Sequence, residues 1–276
     1  MGAIPDSVLE KVSRARHHFD SLNREMNTFM QDDPDATLGF VIQQDSDRGE
    51  NIVRWGKHTA PPLRWSVVLG EFFYDLRSAL DHLARHLILA NERTPYHSEF
   101  PVFQKELKFD DRDPRSTKGM SDEAIAVIKA LQPFSEWPEH PKQTTLWRIH
   151  DLCNIDKHNL LHLSDFFLVS ALVDFRMLLP YQLPQPVFTE EFVAERIWLK
   201  PNAKIAHHTW DPSALRRLGD AQVQMQVKLS LDISLSEWKG VDGDGHPAEG
   251  MPVDHAMQVA LDYMETTLLP KFEQFF

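Results

Sequence analysis

Apolar residues recur at three- and four-residue steps over residues 6–30, where Val8, Val12, Ala15, Phe19, Leu22 and Met26 draw one helical stripe. Asp6 or Ser7 can cap its start, and QDDPDAT, with Pro34 as breaker, ends it. TLGFVIQQ and ENIVRWGKH read as two short strands, and the turn-rich QDSDRGE between them makes a β-hairpin. Pro61 and Pro62 open the longest helix, about 63–91. Its stripe runs through Leu69, Phe72, Phe73, Leu76, Leu80, Leu83, Ala84 and Leu87, the pattern of a core helix. Residues 104–120 are polar and charged, with DDRDPRST as surface loop. SDEAIAVIKALQP is a short helix with an incomplete capping box, because Ala124 stands where Glu would. A further helix is expected over about 143–163, through TTLWRIHDLCNIDKHNLLHL.

After Ser164 the pattern changes. FFLVSALVDFRMLL, VFTEEFVAERIWLK, AKIAHHTW and AQVQMQVKLSLDISL are rich in β-branched and aromatic residues. In the last, Val223, Met225, Val227, Leu229, Leu231, Ile233 and Leu235 alternate onto one face. Turns are short and no helical crossover intervenes, so the strands read as antiparallel. VDGDGHPAEG is a loop. Residues 252–275 form a closing amphipathic helix marked by Val259, Tyr263, Leu268 and Phe272. The fold class is therefore α+β: a helical bundle half with an inserted β-hairpin, an antiparallel β-rich half, and a C-terminal helix. The organisation reads as a helical region 1–164 with its hairpin at about 37–56, strands over 165–250 and a terminal helix over 251–276, in one integrated fold.

Composition narrows the function classes. The chain of 276 residues is 42% hydrophobic and 25% charged, which is ordinary for a globular protein and not for a disordered one. Its net charge, 29 − 41 = −12, argues against a broad nucleic-acid-binding surface but leaves room for a local basic site. One cysteine, Cys153, makes neither an internal disulfide nor a cysteine-based zinc site, and reducing cytosol is the simplest compartment. No apolar run reaches the ~18 residues of a membrane span. The N-terminus lacks a signal-peptide core, and Asp6 stands where myristoylation needs Ser or Thr. A cytoplasmic protein without membrane contact is expected.

The 14 histidines raise the question of acid–base or metal chemistry. On the 63–91 helix, Glu71, Asp75, Ser78, His82 and Arg85 stack on one face, with Arg77, Asp81 and His86 beside them. Asp81 with Arg85 is also an ordinary i, i+4 ion pair. On the later helix Asp151, Asn154, His158 and His162 form one line, and His150, Asn154 and Lys157 an adjoining one. Apolar flanks on several sides mark that helix as buried, so its polar groups need partners and can serve as a hydrogen-bond network that orients the helices. Each helix carries an H-x3-H pair, His82 with His86 and His158 with His162; such pairs can hold a metal, with Asp81 or Asp156 adding a carboxylate.

Other motifs are missing or incomplete. HEXXH, P-loop, G-x-S-x-G and G-x-G-x-x-G are absent. DGDGH at 242–246 lacks the acid of a calcium loop, whose place Val253 takes. His17–His18 and His207–His208 are adjacent pairs that do not share a face. Cys153 lies among apolar neighbours and reads as an inert thiol. The strand half shows no clustered Lys or Arg with interleaved aromatics.

LRSALDHLARHL, a loop with FPVF, then LQPF and HDLCNIDKHNLL resemble an uncharacterised family of bacterial proteins, and the helical part resembles the HEPN superfamily. The resemblance covers about residues 63–163 and includes Arg77, Ser78 and His82 in an R-x4-H spacing, on the earlier of the two helices. It implies metal-independent ribonuclease chemistry of the kind found in bacterial toxin–antitoxin and phage-defence systems, without a cofactor, at a site assembled across a homodimer. It implies Arg77, His82, Lys157 and His158 as catalytic residues, supported by Asp81, Asn154 and Asp156, with RNA or a nucleotide as partner. Histidine suits the base near a 2′-hydroxyl, and Arg77 or Lys157 the cation at the phosphate. Three readings stay open: this nuclease-like one, a non-enzymatic binding or scaffold protein with a structural polar network, and a histidine-ligated metal-dependent hydrolase.

Overall fold

A computed structural model describes residues 3–32, 40–45, 47–48, 50–56, 60–110, 117–161, 163–178, 187–192, 197–198, 202–209, 222–238 and 250–276. In chain order the elements are α1 (Asp6–Asp32), β1 (Phe40–Asp45), β2 (Glu50–Trp55), α2 (Leu63–Ala90), α3 (Glu106–Asp110), α4 (Asp122–Ala130), α5 (Pro133–Glu136) and α6 (Thr145–Asp156). There follow β3 (Leu163–Leu178), β4 (Val187–Phe192), β5 (Ile197–Trp198), β6 (Lys204–Thr209), β7 (Gln222–Leu235), β8 (Met251–Pro252) and α7 (Val253–Asp262). A π-helical turn (Tyr263–Leu268) and a 3-10 segment (Leu269–Phe275) continue α7. This is the α+β class the pattern predicts. Pro34, most of DDRDPRST, His162 and the 242–246 loop lie outside the described residues. Among the described residues no helix is long and apolar enough to cross a membrane.

The chain divides into two compact units: Met1–Glu25, Pro62–Leu163 and Leu235–Phe276 in the first, Met26–Pro61 and Ser164–Ser234 in the second. In the first, every stripe residue of α2 from Leu69 to Leu87 is buried, as are Val8, Val12, Ala15 and Leu22 of α1. Leu146, Ile149 and Leu152 of α6, Ala256, Met257 and Ala260 of α7, and Phe272 complete that core. Phe100 meets Phe272 edge-on, with ring centroids 6.3 Å apart. Ser121 caps α4 by accepting from the Ala124 amide at 3.2 Å, so the cap forms without the Glu of a full box. In the second unit β1 and β2 form the expected antiparallel hairpin, from Phe40 opposite Trp55 to Asp45 opposite Glu50. β6 adds to the far edge of β2, with a register shift between Val53 and Arg54. β3 pairs antiparallel with β4 and β5, and β7 also neighbours β3.

One boundary differs from expectation. The helix expected over 143–163 ends at Asp156. The Asn159 amide turns back to the Ile155 carbonyl at 2.8 Å, and His158 donates to the same carbonyl at 3.0 Å. The chain then runs extended, burying Leu161 and Leu163, two residues apart, while Leu160 stays 41% exposed. NLLHL fits either period, and burial of the period-two set ends the helix. His158 therefore stands beyond the helix, and the helical His158/His162 pairing is corrected.

Candidate functional site

α2 and α6 pack side by side, and Gly70 leaves room at one end for the Asp156 carboxylate. A Cβ at Gly70 would fall on the Asp156 carboxylate. Burial, with Glu71 nearby, raises the Asp156 carboxyl above its ordinary range.

Further along α2, Arg77 is buried. Its Nη1 lies 2.7 Å from Asp81 Oδ1 and its Nη2 donates to the Phe100 carbonyl at 2.8 Å, with Glu99 Oε1 at 3.4 Å. Asp81 Oδ1 in turn accepts from the Phe100 amide at 2.8 Å. Burial raises the Asp81 carboxyl, against the opposing charge of Arg77. Both backbone polar groups of Phe100 are thus satisfied by α2 side chains. Gln132, fully buried, does the same for the next residues. Its Oε1 accepts from the Phe103 amide at 2.9 Å, and its Nε2 donates to the Pro101 carbonyl at 2.9 Å and to Ile128 at 3.2 Å. FPVF and LQPF, two of the strings behind the family resemblance, are joined by this one amide. An irregular loop with buried backbone needs such partners, and three side chains supply them.

The loop so fixed is one wall of a cleft of about 650 Å³. Lys105 and Lys108 stand on the same side, and Trp147, His150 and Asn154 of α6 on the other. Thr144 starts α6 by capping the Trp147 amide, and the 3.6-residue repeat then aligns Trp147, His150, Asn154 and Lys157. Lys157 Nζ donates to Asn154 Oδ1 at 3.2 Å, and Asn154 Nδ2 lies 2.9 Å from His150 Nε2. With Lys157 donating to its Oδ1, Asn154 turns its Nδ2 toward His150 Nε2. The Trp147 and His150 rings lie 5.5 Å apart.

The sequence-predicted residues divide between places. Asn154 and Lys157 belong to the hydrogen-bonded line at this cleft. Arg77 and Asp81 hold the cleft's loop. Asp156 covers Gly70, and His158 is exposed after the end of α6. His82 is not with Arg77; it lines a groove toward α1, together with His17 and His18. His86 is bonded to Ser7 Oγ at 3.0 Å, and burial, with His82 and Arg85 beside it, lowers its pKa. Among the described residues, no group of three or more His, Cys, Asp or Glu is placed to hold a metal ion. Burial raises the Cys153 thiol.

Trp147, Lys105, Lys108 and Gln132 carried no signal in the spacing of single helices. They converge only through the loop, and the one trace of Gln132 in the sequence is its place in LQPF. The chain matches no protein-family model, no curated protein and no solved structure.

Proposed function

We propose that the protein acts on single-stranded RNA or nucleotides in the cleft between α6 and the Phe100–Phe103 loop, as a HEPN-like, metal-independent ribonuclease of the cytoplasm. The observation that carries this reading is that His150 and Asn154, the latter held by Lys157, line one cleft together with Lys105, Lys108 and a loop fixed by buried side chains. Trp147 offers a flat face for a base, the lysines offer charge to a phosphate, and His150 Nε2, once released by Asn154, is the imidazole nitrogen that exchanges a proton with the ribose hydroxyl. A cleft of about 650 Å³ is of the size that takes a nucleotide. Homodimer formation and a role in bacterial defence belong to the same reading. RNA cleavage by purified protein is compared with His150→Ala, His82→Ala and His158→Ala. Loss of cleavage in His150→Ala with retention in His82→Ala supports the reading; the same background in all four samples overturns the ribonuclease chemistry.

A second reading has its own support. The Arg77–Asp81–Gln132 set is a polar network that holds a loop, which a non-enzymatic binding protein would also need. In that case nucleotides bind and quench tryptophan emission, Trp147→Phe removes the effect, and no substrate is turned over.

A further inference from the structure

The second unit carries a strand that its own sheet does not finish. In the order β1–β2–β6, β1 stands at the edge, and among the described residues it has a strand partner on one side only. Its sequence, FVIQQD, has no charge before Asp45 and no proline, two devices that commonly keep an edge strand from pairing further. Both of its faces expose apolar side chains: Val41 is 49% exposed and Ile42, on the opposite face, 42%. Ile42 lies opposite Val53 of β2, which is fully buried, so the apolar row of the sheet runs out into solvent at β1.

Charge is divided along the same sheet. The turn end carries Asp45, Asp47 and Glu50 against Arg48, and the other end carries Arg54 opposite Lys204. An antiparallel strand drawn from a second copy brings each acidic turn to the basic end of the other sheet; parallel addition would set like charges together. A two-fold axis between antiparallel strands sets one residue opposite its own copy. Centred on Gln43, it would put Val41 against Asp45 and Ile42 against Gln44. Centred on Ile42, it puts Ile42 against Ile42 and Val41 against Gln43. The buried row then continues from Val53 through both isoleucines to the second Val53.

We infer that β1 is a self-association edge, along which two copies of the chain join their three-stranded sheets antiparallel about Ile42 into one continuous sheet. β1 belongs to the second unit and the cleft at His150 to the first, so this inference does not rest on the ribonuclease reading.

Sedimentation equilibrium of the full chain over a dilution series tests the association. One six-residue strand from each copy is a small contact beside a standard interface of about 1,600 Å², so a reversible monomer–dimer equilibrium is expected. Ile42→Lys sets two ammonium groups opposite each other and is expected to weaken dimerisation by about tenfold or more. Its melting temperature is expected to stay unchanged, since Ile42 is exposed in the single copy. Ile42→Cys reads the register. Under a mild oxidant it is expected to form a covalent dimer that a reductant reverses, because Cα atoms directly opposite each other lie within disulfide reach. Gln43→Cys, whose thiols sit two residues out of register, is expected to stay uncoupled. The native Cys153 is buried and takes no part. A chain that stays monomeric across the series, a dimer indifferent to Ile42→Lys, or covalent capture by Gln43→Cys in preference to Ile42→Cys overturns the inference and leaves the ribonuclease reading untouched.

Discussion

The two polar faces of α2 solve one problem with opposite signs. Toward the Phe100–Phe103 loop, a buried cation, Arg77, serves several acceptors: Asp81, Glu99 and the Phe100 carbonyl. Toward α1, a buried anion, Asp75, is served by two cations, Lys11 and Arg14, with His18 Nε2 at 3.5 Å. In each case the lone buried charge is compensated more than once, which is how a buried charge is tolerated at all. The difference lies in what is left over. The first face keeps negative charge at Glu99, and its main product is a fixed loop. The second has Glu10 and Glu71 beside Lys11 and Arg14, and its main product is the tie between α1 and α2. The same device therefore positions a loop on one side and ties two helices together on the other.

The comparison is broken most sharply at Arg77. Arg77→Met strands the Phe100 carbonyl and leaves Asp81 without its cation, and is expected to cost about 3 kcal/mol in urea unfolding. Unchanged stability would mean that Arg77 does not hold the loop. Asp75→Asn is expected to cost less, about 2 kcal/mol, because the long side chains of Lys11 and Arg14 can turn their charges to water. A larger loss than for Arg77→Met would reverse the ranking of the two faces. Gln132→Leu removes two hydrogen bonds from the loop and one from Ile128, and is expected to cost roughly 1 to 2 kcal/mol and to weaken nucleotide binding at the cleft. Unchanged nucleotide binding would show that the loop does not shape the cleft.

The smallest effect is a dependence on pH. Burial holds the folded His18 imidazole below its ordinary value, against the pull of Glu71 and Asp75. Between pH 7 and 5 the unfolded chain binds this proton first, so His18 makes stability fall as pH falls. Asp81 and Asp156, raised in the fold, act in the opposite sense in a more acid window: their contribution is full at low pH and is lost as pH rises from the ordinary carboxyl value to the folded one. Melting temperature followed from pH 7 to 5 should decline less in His18→Gln than in the parent protein. Equal slopes would remove His18 from the account.

Periodicity was enough for the helices because burial imposes it. Every apolar position from Leu69 to Leu87 that spacing assigns to the core is buried, and Ile233 and Leu235 of the alternating strand are buried too. Periodicity failed where two periods overlap. In NLLHL both a helix and an extended chain bury leucines, and packing of Leu161 and Leu163 decided for the extended form. The site was legible only in pieces. His150, Asn154 and Lys157 share a line because one helix carries them. Arg77 and His82 look paired by spacing, yet five residues turn a helix by well over a quarter circle, and the two side chains meet different neighbours.

What the sequence by itself determined is the set of elements and which face of each is apolar, since these follow from local spacing and from the cost of exposing apolar surface. It also carried the hairpin, through its turn residues. Only the tertiary structure decided which buried polar side chain answers which distant backbone group: Gln132 for Phe103, Arg77 for the Phe100 carbonyl, Lys11 of α1 for Asp75. Those partners lie 29, 23 and 64 residues apart. No local period links them. They are chosen because a buried polar group must find a partner wherever packing has brought one.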